Sequence, residues 1–219
     1  MQASVNNATS PNEDYSFLEH IGKPVSKSKL VGKRICDILF GIIFGIISLP
    51  IILLFGILVK ATSKGPAFFK QTRVGYMGQP ITIIKLRSMR DDAEKKTGAV
   101  WAKENDPRIT SIGRFMRKTR IDELPQFWSI IKGDMSLVGP RPERFVLTQN
   151  FYEKWSEFPQ RLRIIPGLTG YAQVNGGYNL KPKEKCKLDN YYIEHYSLFF
   201  DLKIVLKTVK IIFTGDGAR

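Results

Sequence analysis

Histidine, cysteine and acidic residues are all scarce in this sequence. With His20 and His195 as the only histidines among 219 residues, the chain has little material for a histidine-rich metal centre, and a Ser/His/Asp triad would rest on His195 alone. In "YYIEHYS" a histidine on a helix surface or in a core is the plainer reading. The two cysteines, Cys36 and Cys186, exclude a disulfide framework and a cysteine-rich zinc site, and they suit a reducing compartment. Acid–base or nucleophilic chemistry therefore falls to carboxylates, and a metal would be a hard cation on oxygen ligands. The acids are themselves outnumbered: 20 Asp and Glu against 34 Lys and Arg give a formal net charge of +14. This favours an anionic partner, whether nucleic acid, phospholipid head groups or a phosphorylated substrate.

A chain of this length holds one core, or one core and a membrane-embedded element, and it contains no internal repeat. Residues 1–30 are mostly polar and read as a flexible arm with one small docking patch at Tyr15 to Leu18. A long apolar run follows. Between Asp37 and Lys60, 22 residues carry no charge, enough at about 1.5 Å per residue to cross a hydrocarbon core about 30 Å thick. The run is too long and starts too late for a signal peptide. Pro50 near its midpoint removes a helical hydrogen bond, and Ser48 can satisfy a freed carbonyl. Positive charge flanks both ends, Lys33 and Arg34 before and Lys60 and Lys64 after. A spanning helix and a re-entrant one with both ends on the same side both fit these residues.

Beyond the run, Phe68 to Val74 and Ile81 to Leu86 are β-prone around "GYMGQP". They predict a hairpin that gathers Lys70, Arg73, Lys85 and Arg87. "DDAEKKTGAVWAKENDPRITS" reads as a charged helix start and a loop, and Ser111 to Thr119 as a helix. "ELPQFWSIIK" reads as a further helix with Asp122 as N-cap, Pro125 in its first turn and Gly133 as its stop. "SLVGPRPERF" is a rigid turn leading into a helix from Glu143 to Glu157, and "RIIPGLTGYAQVNGGYN" is a glycine-rich loop that backbone-close ligands could approach. At the C-terminal end Lys203, Lys207 and Lys210 form one polar stripe on an otherwise apolar helix, a pattern that suits a membrane interface or a packed core.

In "RKTRIDELPQFW" Asp122 and Glu123 stand side by side. Acids at a helix start often only cap amides. Their surroundings add a second reading: Arg108, Arg114, Arg117, Lys118 and Arg120 precede the pair, and Arg141 and Arg144 follow in a turn stiffened by Pro140 and Pro142. Such a surplus of cations suits a diphosphate, whose oxygens guanidinium groups bind bidentately. With phosphate charge neutralised, one carboxylate can attack phosphorus while its neighbour holds a divalent metal.

The motifs "KRICDI", "GPAFFKQTRVG", "IIKLRSMR", "DPRITSIGRFMRKTRIDELPQFWSIIKGDMSLVGPRPE", "PGLTGYAQVNGGYN" and "KLDNYYIEHYSLFFDLKIVLKTVKIIFTGDGA", in that order, resemble the bacterial sugar transferases, or monotopic phosphoglycosyl transferases. The resemblance covers residues 31–218. It implies transfer of a hexose-1-phosphate from a UDP-sugar to polyprenyl (undecaprenyl) phosphate with release of UMP, starting surface-glycan assembly at the cytoplasmic face of the bacterial inner membrane. Residue by residue it implies Asp122 as the nucleophile forming a phosphosugar ester and Glu123 as a Mg²⁺ ligand. It also implies Lys85, Arg117 and Arg141 as phosphate or nucleotide contacts, joined by Arg120, Arg144 and Asp189.

The fold class it implies is α+β and helix-dominated: a small cytosolic catalytic domain with a β-hairpin, a re-entrant membrane helix and amphipathic interfacial helices. The expected division is a polar arm over 1–30, a re-entrant helix broken at Ser48 and Pro50 over 31–62, and the catalytic domain with its interfacial helix over 63–219. Expected partners are UDP-sugar, polyprenyl phosphate and membrane lipids. Nucleic acid is not among them, and a homo-oligomer is allowed for. Two departures from the family pattern stand out: Leu49 separates Ser48 from Pro50, so the carbonyl that Ser48 satisfies is open, and Gly177 stands where many members carry arginine. The polytopic phosphoglycosyl transferases and the CDP-alcohol phosphatidyltransferases need several spans, and this chain offers one apolar segment. A basic scaffold or nucleic-acid binder would leave the pairing of "DELPQ" with "GPRPE" without a reason.

Overall fold

A computed structural model describes residues 15–95, 100, 106–177 and 180–214. A 3₁₀ turn, Ser16–His20, precedes helix α1, Lys27–Thr62, and the hairpin strands β1, Phe68–Val74, and β2, Pro80–Leu86. Helix α2, Ser111–Thr119, a 3₁₀ turn Ile121–Gln126 and helix α3, Phe127–Lys132, follow. Strand β3, Ser136–Val138, helix α4, Phe145–Tyr152, and a 3₁₀ turn Phe158–Arg163 lead to strand β4, Gly167–Thr169. Helices α5, Tyr171–Val174, α6, Pro182–Glu194, and α7, Leu198–Thr214, close the described chain.

The hairpin and α2 fall where the β-prone runs around "GYMGQP" and the helix expected over Ser111 to Thr119 put them; in the structure the Thr110 hydroxyl caps α2, accepting from the Gly113 N–H at 3.0 Å. Several expectations are corrected. The docking patch expected at Tyr15 to Leu18 is present, with Phe17 fully buried against Val74 and Leu162, but the arm does not reach residue 30, because α1 begins at Lys27. Asp122 is not an N-cap, because a 3₁₀ turn replaces the first turn of the expected helix; Gly133, at φ 100°, does stop it. The helix expected to Glu157 is α4 alone, ending at Tyr152. "SLV" is a strand, and β3 and β4 form a parallel pair joining Ser136 to Gly167 and Val138 to Thr169. Gly139 and Gly167 permit this contact, because a Cβ on either would collide with backbone of the other. The charged stretch before α2 lies partly outside the described residues.

The break expected at Ser48 and Pro50 does not interrupt the helix: α1 runs continuously through Pro50 from Lys27 to Thr62. Proline leaves the Ile46 carbonyl without its usual partner; the Ser48 hydroxyl donates to the neighbouring Gly45 carbonyl at 3.0 Å. One face of α1 is exposed and apolar, with Leu39, Ile43, Ile46, Ile47, Leu53, Leu54 and Ile57 each more than half exposed. The other face lies along the domain from end to end. Lys33 and Arg34, expected as flanking charges, are instead docked into the domain. The Lys33 ammonium pairs with Asp201 at 2.7 Å, and Arg34 donates to the Ile130 and Ile131 carbonyls at 2.6 Å, closing the end of α3. Asp37 accepts from the Ser136 hydroxyl at 3.0 Å and the Leu137 N–H at 2.8 Å. Farther along, Phe44 stacks on Phe127, Phe55 stacks on Phe115, and Val59 is buried with Leu86 and Met116.

Helix α7 divides similarly. Asp201 and Ile204 are buried, while Phe199, Leu202, Leu206 and Val209 are exposed. Lys203, Lys207 and Lys210 are exposed too, and by helical spacing they border that apolar stripe.

Candidate active site

The acids owe their position to a sharp change of direction after α2. Arg120 adopts the left-handed conformation, φ 60° and ψ 13°, an uncommon state for a residue with a Cβ. It ends α2 and starts the 3₁₀ turn that carries Asp122 and Glu123. Both are buried, 6% and 7% exposed, at a cleft of about 340 Å³ also lined by Lys85, Arg117, Arg120, Arg141 and Arg144. Its volume is in the range of small-molecule sites. The hairpin supplies Lys85, whose ammonium lies 2.5 Å from Glu123 Oε1. The turn after β3 supplies Arg141, which engages both Glu123 oxygens.

That turn is held from three sides. The Arg141 carbonyl accepts from Arg161 Nη2 at 2.9 Å, the Pro142 carbonyl from Arg73 Nη1 at 3.2 Å, and the Glu143 carbonyl from the Val74 N–H at 2.8 Å. The Glu143 carboxylate lies 2.6 Å from Lys185 and 3.7 Å from Arg73. Against its burial, Lys185, Arg161 and Arg73 hold its pKa down to about 2. Three consecutive residues fixed this way give the Arg141 guanidinium a defined reach.

The neighbouring acids are tuned apart. Burial first, and the Glu123 charge second, push Asp122 up to about 6 against the pull of Lys85, Arg117 and Arg141. Burial acts on Glu123 in the same sense, but Arg141 and then Lys85 outweigh it and hold Glu123 well below the usual carboxylate range. Glu123 is thus a fixed anion and Asp122 a carboxylate of raised basicity, a separation typical of pairs with divided roles.

Of the residues expected at the site, Asp122, Glu123, Lys85, Arg117, Arg120, Arg141 and Arg144 line one cleft. Arg144 is paired there with Glu94 at 3.0 Å. Asp189 is elsewhere: 1% exposed, it lies 2.6 Å from Arg161 and is not among the cleft's lining residues. It acts on the turn through Arg161. Sequence reasoning missed Arg161 and Lys185, which reach the turn from distant segments without a local motif. Arg73 it had placed on the hairpin without a partner.

Glu123 Oε1 carries the short contacts to Lys85 and Arg141, whereas Oε2 has a 3.4 Å contact to Arg141. Among the described residues no three carboxylate, histidine or cysteine side chains cluster as metal ligands. The donor set fits a magnesium ion that takes one or two carboxylate oxygens from the protein and the rest from substrate phosphate and water.

The model of one protein family, bacterial sugar transferase, matches residues 28–215. The chain belongs to that family. It is 42% identical to galactosyl transferase CpsE of Streptococcus agalactiae serotype III (strain NEM316) over 219 residues, covering 94% of this chain and 48% of the relative. It is also 42% identical to a UDP-N-acetylgalactosamine-undecaprenyl-phosphate N-acetylgalactosaminephosphotransferase of Aeromonas hydrophila, covering 85% and 45%. With a UDP-glucose:undecaprenyl-phosphate glucose-1-phosphate transferase of Escherichia coli (strain K12) it shares 37% identity, covering 89% and 43%. The chain thus spans about half the length of these relatives.

Proposed function

We propose that this bacterial sugar transferase moves a sugar-1-phosphate from a UDP-sugar to undecaprenyl phosphate in two steps through Asp122, releasing UMP and initiating exopolysaccharide or other surface-glycan assembly. The observation that carries this reading is a basic-shifted carboxylate beside a fixed one in a cationic cleft that adjoins a long lipid-compatible helix. The relatives' names supply both substrates.

Arg117, Arg120 and Arg141 bind and orient the diphosphate, with Lys85 beside Glu123. An Asp122 carboxylate oxygen attacks the sugar-linked phosphorus; the bond to the UMP oxygen breaks and UMP leaves with that electron pair. A phosphate oxygen of the acceptor then attacks the same phosphorus, and the Asp122 carboxylate is released with the polyprenyl diphosphate sugar formed. Glu123, with Asp122 beside it, would hold Mg²⁺, which when bound neutralises phosphate charge. The Arg161–Asp189 pair keeps the Arg141 turn in place while the cleft fills and empties.

Helix α1 is read as re-entrant, with the domain on the cytoplasmic face of the inner membrane and α7 in the interface. One domain grips α1 at both ends, through the Lys33–Asp201 pair at its start and through Arg87 on the Ser63 carbonyl just past its end, so a crossing α1 would draw one of these charged groups through the hydrocarbon, a costly transfer. Cysteines placed at the exposed Lys29 and Lys60, with Cys36 and Cys186 removed, should react with an impermeant reagent from one side only; reaction from opposite sides contradicts the topology. UMP release from UDP-N-acetylgalactosamine, UDP-galactose and UDP-glucose by purified protein tests the activity and identifies the sugar. No UMP from any UDP-sugar contradicts it.

A further inference from the structure

One wall of the cleft is the segment that leaves the apolar helix. Arg87, 4% exposed, donates to the Ser63 carbonyl and hydroxyl, both at 3.0 Å, and to the Lys64 carbonyl; its N–H donates to the Ala67 carbonyl at 2.8 Å. The connector from α1 to β1 is thereby pinned with Pro66, Phe68 and Phe69 lining the cleft. Phe68 and Phe69 are 42% and 40% exposed. In the hairpin register Phe69 lies opposite Lys85, so the two side chains share a face as cross-strand neighbours. Lys85 in turn contacts Glu123. The cleft therefore passes from the end of a lipid-compatible helix, over half-exposed aromatic rings, to the acid pair.

A nucleotide sugar has no hydrocarbon to cover those rings. An isoprenyl phosphate has a branched hydrocarbon directly behind its phosphate. Building on the two-step function proposed above, we infer that Phe69, on the Lys85 face of the hairpin, and Pro66 before it form the acceptor subsite, seating the first isoprene units so that the acceptor phosphate arrives beside Lys85, at the phosphorus carried by Asp122. Because the contact is with the first units only, it applies to short and long acceptors alike.

Two half-reactions separate this subsite from the rest of the site. UMP formed from the UDP-sugar of the panel that is turned over, without acceptor, reads the first; turnover with geranyl phosphate and with undecaprenyl phosphate in detergent reads the second. Phe69→Ala should keep the first-step burst near one UMP per enzyme while raising KM for both acceptors about tenfold, the scale of losing a buried aromatic contact. Phe69→Leu, still apolar, should restore most of the acceptor affinity. An unchanged acceptor KM overturns the inference. So does a raised KM for the UDP-sugar in Phe69→Ala that Phe69→Leu fails to restore, since the ring would then stack on uracil. If the unsubstituted protein gives no burst, the two-step reading fails instead, and the acceptor KM in overall turnover still decides the subsite.

Discussion

Two buried ion clusters lie close to each other and differ in one respect. Glu123 with Lys85 and Arg141 opens onto the cleft, whereas Asp189 with Arg161 is sealed beneath the Arg141 turn, 1% and 2% exposed. Both pair a carboxylate with a guanidinium at short range, so neither burial nor pairing distinguishes a reacting group from a supporting one. Access to the cleft does. The sealed pair fixes the backbone from which the open pair's arginine extends, and Asp122 stands beside the open pair on the cleft wall, its pKa pushed up to about 6 by burial and then by the neighbouring Glu123 charge.

Substitutions can break this contrast. The largest effect should come from Asp122→Asn, which keeps the size, removes the anion proposed as nucleophile and should abolish UMP release. In the unsubstituted protein, first-step kcat/KM should fall as pH drops through about 6, where Asp122 becomes protonated. Next, Asp189→Asn weakens the partner of a sealed cation and should lower the unfolding free energy by up to about 3–5 kcal/mol in denaturant titrations. Its loss of activity should be smaller than that of Glu123→Gln. Glu123→Gln should slow UMP release by about 10²-fold with an altered Mg²⁺ dependence, and should destabilise the fold less because its cations face water. Equal effects at the two sites on both readouts would remove the distinction.

A smaller effect follows from the raised Asp122 pKa. A carboxyl raised from 3.8 to about 6 contributes stability that is fully present below the unfolded value and lost as pH rises through about 6. At pH 7.5 its ionised form burdens the fold, so Asp122→Asn should stabilise the protein by on the order of 2 kcal/mol. That gain should vanish below about pH 4 in thermal melts. A variant less stable at pH 7.5 would contradict the electrostatic account. The smallest effect concerns α7: changing Lys203, Lys207 and Lys210 to Glu should weaken binding to anionic liposomes at low salt, each lysine contributing up to about 1 kcal/mol. Unchanged binding would assign the stripe to a role away from the membrane.

The sequence made the local parts of this architecture readable. Two β-prone runs around "GYMGQP" placed the hairpin, Gly133 marked a helix end, and the cations around Asp122 and Glu123 marked the cleft. What it hid depends on distance along the chain. Arg161 and Asp189 meet across 28 residues, and Lys33 reaches Asp201 across 168, so their charges looked like solvated or topological ones until the fold brought partners to them. The β3–β4 pair was hidden for the same reason: two three-residue strands carry too short a pattern to announce themselves, and their glycines read as loop. Asp189 was expected to touch substrate because its type and motif suited that role, and only its burial against Arg161 moves it from the cleft to the support beneath.

The central claim is that Asp122 carries the phosphosugar between two separate transfers. Intact-protein and peptide mass spectrometry after incubation with a UDP-sugar and Mg²⁺, without lipid acceptor, measures this directly. The account predicts a sugar-phosphate adduct on the peptide containing Asp122, formed together with one UMP per enzyme, discharged on adding polyprenyl phosphate and missing from Asp122→Asn. An enzyme that turns over with both substrates yet forms no adduct, or an adduct that persists in Asp122→Asn, would contradict it.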